Sequence, residues 1–276
     1  MYKCKSLDQL FSLKGKTAVV TGAAGILGKY FCSGLAEAGA NVAIVDLDKH
    51  SVIALAKEIT DSYNIKAIGI ESDVSLPESV KSMVDNVVSE FGEINILLNN
   101  AATKTSDLEA FFAPFEEYSL ETWRQVMSVN IDGMFLVSQA VGKQMIAQGS
   151  GGSIIQTSSI YGLLSPDHRI YKNSLYLGRP INSPAVYAAS KAAIIGLTKY
   201  LATYWGEKSI RVNSLVPGGV EDVQSDEFKR NYSERVPMNR MAKKDELIGT
   251  LLYLASEASS YVTGQSIVVD GGLSVW

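Results

Sequence analysis

A tyrosine and a lysine stand four residues apart in the run SPAVYAASKAAI, which is rich in alanine and has the composition of a helix. Residues at this spacing share a helix face, so Tyr187 and Lys191 can bring a phenol and an ammonium group close together. A nearby positive charge favours phenolate and would lower the tyrosine pKa from its usual value of ~10. Tyr204 and Lys208 form a second such pair, so spacing alone does not identify an acid/base catalyst.

The composition favours a folded protein with a small-molecule partner. The chain has 276 residues, of which 46% are hydrophobic, and this is enough to bury a substantial core in a single domain. Its formal net charge is −4 and we see no basic cluster, so no nucleic-acid partner is expected.

Cysteine and histidine are scarce. Cys4 and Cys32 are too few for a disulfide framework, and His50 and His168 are too far apart for a usual zinc site, so no metal is expected. The N-terminus is polar where a signal peptide would be apolar, and no apolar run approaches the ~18 residues of a membrane span. We therefore expect a cytoplasmic protein without a membrane partner.

Short β-branched runs alternate with segments of helical length along the chain. Seven runs predict strands: KTAVVT, NVAIVD, KAIGI, INILLN, GGSIIQTS, IRVNSLV and SIVVD. Apolar strands that alternate with helices are typical of the doubly wound α/β class, with a parallel sheet covered on both faces. Residues 162–184 fit neither period and predict a long loop. Ligands of such sheets bind beyond the carboxyl ends of the strands, where the strand order reverses.

The first predicted strand leads into the run TGAAGILG, residues 21–28. Glycines at a strand-to-helix junction permit a tight turn and close approach of the backbone to a pyrophosphate, although a turn that only packs helix on strand would also contain them. Asp46 ends the second strand, near the offset of ~20 residues at which an acid binds the ribose hydroxyls. Its carboxylate would repel the 2′-phosphate of NADP, and no Lys or Arg lies between Gly22 and Gly28, so NAD is the expected cofactor.

Together these features resemble the short-chain dehydrogenase/reductase family, from about Lys14 to the end of the chain. The similar motifs are TGAAGILG, ESDVS, LLNNAA, SVNIDG, IIQTSS, YAASK, VPGGV and VDGG. Each motif is weak alone, but eight in this order are very specific. The resemblance implies a single domain of residues 14–276 with a Rossmann-like, doubly wound, seven-stranded parallel sheet, preceded by an N-terminal extension of residues 1–13.

The resemblance also implies a catalytic set. Tyr187, rather than Tyr204, would be the general acid/base for the substrate oxygen while hydride passes to or from the nicotinamide. Lys191 would lower its pKa and hold the nicotinamide ribose. Ser159 would orient the substrate oxygen, and Asn130 would position a water that links Lys191 to solvent. Alternatively, Asn130 caps or kinks its helix and Ser158 is the hydroxyl that acts.

A cofactor-binding set follows from the same motifs. Its members are Gly22, Gly25, Ile26, Leu27, Gly28, Asp46, Leu47, Asp73, Val74, Asn100, Ala101, Tyr187, Lys191, Pro217, Gly218 and Val220.

Three positions depart from the usual family pattern. Gly25 follows Gly22 by three residues instead of four, a spacing common in the sugar-nucleotide branch of the family, which hints at sugars. Ala102 replaces a glycine beside the cofactor. Asp222 stands where a threonine often contacts the nicotinamide amide, and an aspartate can accept the same hydrogen bond.

Ser159 and Tyr187 are separated by more residues than in many family members, and the insertion 162–184 lies between them. Its cations Arg169, Lys172 and Arg179 suit a phosphate or carboxylate, so the insertion is predicted to be a substrate lid that binds an anionic group. A solvated loop or a subunit contact has equal weight, because charged loops are normal on protein surfaces.

The leading hypothesis is an NAD-dependent oxidoreductase that interconverts a secondary alcohol and a ketone, on a sugar or sugar phosphate of a surface-glycan pathway. Two alternatives stay open. One is a 3-oxoacyl-carrier-protein reductase, which Asp46 disfavours because those enzymes usually take NADPH. The other is a non-catalytic dinucleotide-sensing regulator, which the complete catalytic set disfavours. The resemblance also implies a homo-oligomer, a tetramer or a dimer.

Overall fold

The computed structural model of the chain describes residues 4–276. Within them the strands are β1 (Thr17–Thr21), β2 (Asn41–Asp46), β3 (Ala67–Glu71), β4 (Ile96–Asn99), β5 (Gly152–Thr157), β6 (Leu175–Tyr176), β7 (Arg179–Pro180), β8 (Ile210–Pro217) and β9 (Ser266–Val269). The α-helices are α1 (Leu7–Phe11), α2 (Gly28–Glu37), α3 (Lys49–Tyr63), α4 (Pro77–Phe91), α5 (Leu108–Phe111), α6 (Leu120–Met127), α7 (Met134–Gln148), α8 (Ala185–Trp205), α9 (Asp226–Ser233) and α10 (Ile248–Ala255).

Seven strands form one parallel sheet in the order β3-β2-β1-β4-β5-β8-β9. All seven lie where the sequence predicts them, and the doubly wound fold is confirmed. The chain winds outward in one direction from β1 to β3 and in the other from β4 to β9. The strand order therefore reverses between β1 and β4, where a ligand crevice opens in such sheets.

The register of the sheet divides its core into two layers. One row of paired residues joins Val20, Ile44, Leu98 and Ile155, and the neighbouring row joins Val19, Ala43, Leu97 and Ile154. Successive side chains of a strand point to opposite faces, so the two rows belong to separate apolar clusters. Helices α2, α3 and α10 pack on the first face, and α4, α7 and α8 pack on the second.

Local signals fix the ends of the helices that follow β2 and β3. Asp48 caps α3, since its side chain accepts hydrogen bonds from the backbone N–H groups of His50 and Ser51. Pro77 occupies the first turn of α4, where its missing N–H costs nothing. Gly92 ends α4 with a φ of 85°, a conformation that favours glycine.

Helices α6 and α7 are joined by the π-helical turn Ser128–Gly133. Such a turn inserts extra backbone into a continuous helix and is frequent at functional sites. The turn contains Asn130, which the sequence assigned to the catalytic set. The alternative that this residue marks a distortion of its helix is therefore consistent with the structure.

The insertion 162–184 is more ordered than the predicted loop. It contains the 3₁₀ turn His168–Tyr171 and an antiparallel hairpin of β6 and β7, whose turn residues Leu177 and Gly178 have φ values of 51° and 77°. Strands of only two residues carry too little alternation to be read from sequence, which explains the difference.

The β6–β7 hairpin is tied to the segment that follows β8. Tyr176 forms an isolated bridge with Gln224, the Ser225 N–H donates to the Leu175 carbonyl at 3.0 Å, and the Leu175 N–H donates to Ser225 Oγ at 3.0 Å. These contacts hold the hairpin beside the carboxyl end of β8.

Of the predicted N-terminal extension, residues 1–3 lie outside the described residues. Helix α1 buries none of its side chains, and Lys5 forms an exposed ion pair with Glu257 at 3.3 Å. The core begins at Leu13, which is fully buried. In the part of the chain that the structure describes, no helix combines the length and the apolarity needed to cross a bilayer.

Candidate active site

A cavity of about 740 Å³ lies at the carboxyl edge of the sheet, where the strand order reverses. Residues that follow β1, β2 and β3 line one half, which we call the acidic half because it contains Asp46, Asp48 and Asp73. Residues that follow β4, β5 and β8, together with α8 and the insertion, line the other half, which we call the tyrosine half. The two halves place most of the predicted site residues in one cavity.

The glycine run forms a tight turn under the acidic half. Gly22 has a φ of 64°, and a Cβ there would lie 2.8 Å from Ala101 Cα. A Cβ on Gly28 would overlap the carbonyl oxygen of Gly22, which turns back over the start of α2. The Asn100 side chain donates to the carbonyls of Thr21 and Gly22 at 3.3 Å each. The glycines therefore permit the close backbone packing of this turn, and Gly25, Ile26 and Leu27 line the cavity beside the start of α2, where a phosphate can bind.

The Asp46 carboxylate is fixed in the acidic half by two backbone N–H groups. Its Oδ2 accepts from the Ala24 N–H at 2.9 Å, and its Oδ1 accepts from the Leu47 N–H at 2.8 Å. Each carboxylate oxygen keeps a further lone pair for a hydroxyl donor. The cations that line the cavity are Lys104 and Lys191, and both belong to the tyrosine half. The acidic half therefore suits the diol of an adenosine ribose better than a phosphate ester.

All but one of the predicted cofactor-binding residues line the cavity, and the exception is Gly28. Asp73 Oδ1 accepts from the N–H and hydroxyl of Ser75 at 2.9 and 2.6 Å. Those that line the cavity are Gly22, Gly25, Ile26, Leu27, Asp46, Leu47, Asp73, Val74, Asn100, Ala101, Tyr187, Lys191, Pro217, Gly218 and Val220. Gly28 lies behind the cavity wall, where it permits the tight turn.

Ser159, Tyr187 and Lys191 meet in the tyrosine half. Ser159 follows the end of β5, and Tyr187 and Lys191 lie one turn apart at the start of α8. The Lys191 Nζ lies 5.8 Å from the centre of the Tyr187 ring and donates to the Thr157 carbonyl at 3.0 Å. Ser158 points its hydroxyl at the backbone of α8, donating to the Lys191 carbonyl at 2.7 Å. Of the two serines, Ser159 is therefore the one placed to interact with the Tyr187 phenol.

Burial dominates the acid–base properties of this pair. It raises the pKa of the Tyr187 phenol above its usual value, and a hydrogen-bonding interaction with Ser159 acts against this rise. Burial also lowers the pKa of Lys191 to about 8. The sequence predicts that Lys191 lowers the tyrosine pKa, whereas desolvation of the phenol is the larger effect here.

The lowered pKa of Lys191 predicts a pH dependence of stability. Below pH 8 both folded and unfolded chains hold the proton, and burial of the charge reduces the free energy of unfolding. Between about pH 8 and 10.5 the unfolded chain binds more protons at this site, so stability rises with pH in that window. From pH 7.5 to 10, cofactor-free wild type should gain about 2–3 kcal/mol relative to Lys191→Met in urea unfolding. Equal changes in the two proteins would contradict this expectation.

Asn130 lies behind the cavity rather than in its wall. It is 1% exposed, its Oδ1 accepts from the Thr103 N–H at 2.9 Å, and its Nδ2 donates to Ser190 Oγ at 3.2 Å. The side chain thus links the segment after β4 to helix α8. This contact positions both walls of the site, and the expected water relay to Lys191 stays a prediction.

The three cations that were predicted to bind the substrate from the insertion do not line the cavity, so a cationic lid stays a prediction that these positions do not support. Arg169 points away and pairs with Asp167 at 2.7 Å in an outer depression that Lys172 also lines. Arg179 lies in another depression beside Asp107. The physical reason is solvation, because the Arg169 side chain is 82% exposed and keeps its charge in water.

Neutralising these cations should therefore have little effect on catalysis. We expect the single changes Arg169→Ala, Lys172→Ala and Arg179→Ala to alter KM by less than about threefold, since none of the three side chains lines the cavity. Steady-state kinetics with any substrate that the protein turns over tests this. A tenfold increase of KM in one variant would instead support the prediction that the cations of the insertion bind the substrate.

Two tyrosines of the insertion and Tyr161, which directly precedes it, face the cavity instead, and the sequence analysis did not select them. Tyr161, Tyr171 and Tyr176 line the tyrosine half, and the hydroxyls of Tyr171 and Tyr161 are 3.1 Å apart. Burial raises the pKa of Tyr171 to about 12, so its phenol stays protonated. The only local signal for these residues was their aromatic character within an otherwise polar segment.

Two further positions complete the tyrosine half. Lys104 follows β4 and its Nζ lies 4.2 Å from the centre of the Tyr176 ring. Asp222 lines the cavity, and its Oδ1 accepts from Lys244 Nζ at 2.7 Å. The second tyrosine–lysine pair of the sequence is absent from this wall, since Tyr204 is 67% exposed and stacks on Tyr200. No group of three potential metal ligands occurs within residues 4–276.

Comparison with known proteins identifies relatives along nearly the whole chain. A family model described as enoyl-(acyl carrier protein) reductase matches residues 22–274. D-threitol dehydrogenase of Mycolicibacterium smegmatis is 34% identical over 279 residues, covering 98% of this chain and 97% of that protein. A 3-oxoacyl-[acyl-carrier-protein] reductase of Thermotoga maritima is 35% identical over 267 residues, covering 95% of this chain and 99% of that protein.

Solved structures agree with this architecture. A gluconate 5-dehydrogenase from Burkholderia cenocepacia in complex with NADP and tartrate has a TM-score of 0.85 at 34% identity, covering 98% of this chain and all of that one. A short-chain dehydrogenase from Leptospira borgpetersenii with bound NAD⁺ has a TM-score of 0.83 at 32% identity, covering 100% of this chain and 98% of that one. With its matching site and relatives, the chain belongs to the short-chain dehydrogenase/reductase family of oxidoreductases, and its named relatives include dehydrogenases that act on CH–OH groups.

Proposed function

We propose that the protein is an NAD-dependent oxidoreductase that interconverts a secondary alcohol and a ketone on a sugar or polyol. One observation carries this proposal: a single cavity joins the acidic half around Asp46 to a tyrosine half that contains Ser159, Tyr187 and Lys191. The first half fits an adenosine diol and the second fits proton exchange with a substrate oxygen.

The proton chemistry belongs to Tyr187. In the oxidative direction its phenolate oxygen takes the proton of the substrate hydroxyl, and in the reductive direction its hydroxyl returns a proton to the carbonyl oxygen. A bound nicotinamide dinucleotide supplies the hydride acceptor or donor. Ser159 orients the substrate oxygen by hydrogen bonding. The Lys191 ammonium, fixed on the Thr157 carbonyl, favours the phenolate by its charge and can bind a ribose hydroxyl.

The preference for NAD rests on the charges of the acidic half. Three carboxylates line it, and among the described residues 4–276 neither a Lys nor an Arg does so. A 2′-phosphate placed beside Asp46 would be repelled without a compensating cation. Relatives of this chain are known with NADP and with NAD⁺, so the cofactor preference is a proposal about this chain's own residues.

A sugar or polyol suits the walls of the tyrosine half. Tyr161 and Tyr171 offer hydroxyls that donate and accept hydrogen bonds, and their rings offer apolar faces to the C–H groups of a polyol. Related enzymes act on threitol and gluconate. This combination favours a short polyhydroxylated substrate.

Reduction of a 3-oxoacyl carrier-protein substrate is the second candidate, because such a reductase is among the relatives. The carboxylate of Asp46 disfavours it, since that activity usually uses NADPH. A non-catalytic dinucleotide sensor would have no need for the arrangement of Ser159, Tyr187 and Lys191. A surface-glycan pathway, a cytoplasmic location and a homo-oligomer remain hypotheses.

The experiment is a spectrophotometric survey of the purified protein. NADH formation at 340 nm is followed with a panel of four- to six-carbon polyols and sugar acids, and NADPH or NADH consumption is followed with a 3-oxoacyl thioester. Turnover of a polyol with NAD supports the proposal. Faster turnover of the thioester with NADPH supports the second candidate, and binding of NAD without any turnover supports the sensor.

A further inference from the structure

Lys104 is the cation of the tyrosine half that the chemistry of the preceding subsection leaves unused. It lies on the segment that follows β4, and its neighbour Thr103 is anchored through its N–H to Asn130 Oδ1 at 2.9 Å. The next residue, Thr105, has a φ of 65° and donates its N–H to Thr103 Oγ1 at 3.0 Å. The backbone around Lys104 is therefore fixed by hydrogen bonds.

The side chain of Lys104 extends into the cavity toward the insertion. Its Nζ lies 4.2 Å from the centre of the Tyr176 ring, a distance at which an ammonium is attracted to the electron-rich face. Tyr176 is itself held by its bridge to Gln224. The ammonium thus has a preferred place in the cavity, between two segments of the chain.

The charges around Lys104 leave its ammonium available. Asp222 is the acidic residue of the tyrosine half, and it responds to the Lys104 charge through space, but its carboxylate is hydrogen-bonded to Lys244 at 2.7 Å. The other carboxylates of the cavity belong to the acidic half. Within residues 4–276, Lys104 forms no ion pair closer than 4.0 Å, in contrast to Lys244.

We propose that Lys104, placed by Tyr176, binds a carboxylate group of the substrate, so that the enzyme prefers sugar acids to neutral polyols. This inference rests on the proposed function and narrows its substrate class. A lysine ammonium is a compact point charge with three donors and can bind either a carboxylate or a phosphate. A single ammonium balances the one negative charge of a carboxylate, whereas a phosphate ester carries about −1.5 to −2 at pH 7. One free ammonium in this half therefore favours a carboxylate over a phosphate.

The test compares acids with neutral polyols of the same length. The pairs are gluconate with sorbitol and threonate with threitol, and sorbitol 6-phosphate is added as the phosphate arm. The wild type should show a higher kcat/KM for each acid than for its neutral partner. Lys104→Met should lower kcat/KM for the acids by ~10- to 100-fold, as expected for a charge-assisted hydrogen bond, and should change the neutral partners by less than about threefold.

Two variants serve as controls. Lys104→Arg keeps the positive charge and should retain most of the preference for acids. Lys81→Met makes the same substitution on the exposed face of α4, outside the cavity, and should leave all kinetic values unchanged. The affinity for NADH should be the same in all four proteins, since Lys104 lies outside the acidic half.

Each outcome decides the inference. Equal use of acids and neutral polyols by the wild type, an equal loss on both in Lys104→Met, or a preference for sorbitol 6-phosphate over gluconate would overturn it. If no compound is turned over, the proposed function fails, and calorimetry of tartrate binding to the NADH complex then decides the inference separately. Tartrate should bind at least about tenfold more weakly to Lys104→Met. Equal binding, or no binding to the wild type, would reject a carboxylate site.

Discussion

Replacing Tyr187 by phenylalanine should lower kcat by ~10²- to 10⁴-fold, because the ring remains while the exchangeable proton is lost. The affinity for NADH should be retained, since Ser159, Lys191 and the acidic half are unchanged. Turnover with the best polyol of the survey and fluorescence titration of NADH measure the two quantities.

The second tyrosine–lysine pair supplies a matched control for this variant. Tyr204→Phe removes a hydroxyl at a similar distance from a lysine in sequence, but Tyr204 is exposed and lies outside the cavity. It should therefore turn over substrate at the wild-type rate. Full activity of Tyr187→Phe together with loss of activity in Tyr204→Phe would reverse the assignment.

The wild type should bind NADH more tightly than NADPH, and Asp46→Ser should reduce this ratio by about 10- to 100-fold. The carboxylate accepts hydrogen bonds from a ribose diol and repels a 2′-phosphate, so its removal weakens the first cofactor and relieves the second. Titration of both reduced cofactors into both proteins gives the ratio.

An exposed carboxylate outside the cavity provides a control for the Asp46→Ser variant. Asp85→Ser, on the exposed face of α4, changes the net charge by the same amount without touching the cavity and should leave the ratio unchanged. Tighter binding of NADPH than of NADH by the wild type would show that the acidic half does not select the cofactor.

The sheet was predictable because its strands are short, apolar and β-branched. Runs such as NVAIVD and IRVNSLV become β2 and β8, since a strand covered on both faces is rich in apolar, β-branched residues. The strand pattern indicates where site residues should follow the strands, and the family resemblance selected the individual residues. Their positions depend on the strand order, which the motifs determine.

The tyrosine half was less accessible to sequence analysis. The two-residue strands of the β6–β7 hairpin are held by contacts with Gln224 and Ser225, which lie far away in sequence. Charge therefore drew attention to Arg169, whereas tertiary packing brings Tyr171 and Tyr176 to the cavity. Lys104 has no local signal, because nothing in its segment shows which side chain it will face.

Acid–base properties were predictable only in part. The spacing of Tyr187 and Lys191 correctly places both groups in one cavity, and the attraction of the ammonium for a phenolate follows from their charges. The opposing effect is desolvation, which raises the pKa of Tyr187 and depends on all the residues packed around the phenol. Such an effect cannot be read from two positions in a helix.

The insertion contributes to the wall of the cavity without contributing a strand to the large sheet. The substrate wall and the sheet that positions the catalytic residues are therefore distinct parts of the protein. No strand of the large sheet lies within residues 162–184, although Pro184 precedes α8 as its N-cap and Gly162 packs against the Lys191 carbonyl. The hairpin of this segment, however, is anchored on Gln224 and Ser225. Transfer of this substrate wall into a relative must therefore include both residues 162–184 and the segment that contains Gln224 and Ser225. The β6–β7 hairpin alone would lack the contacts that hold it.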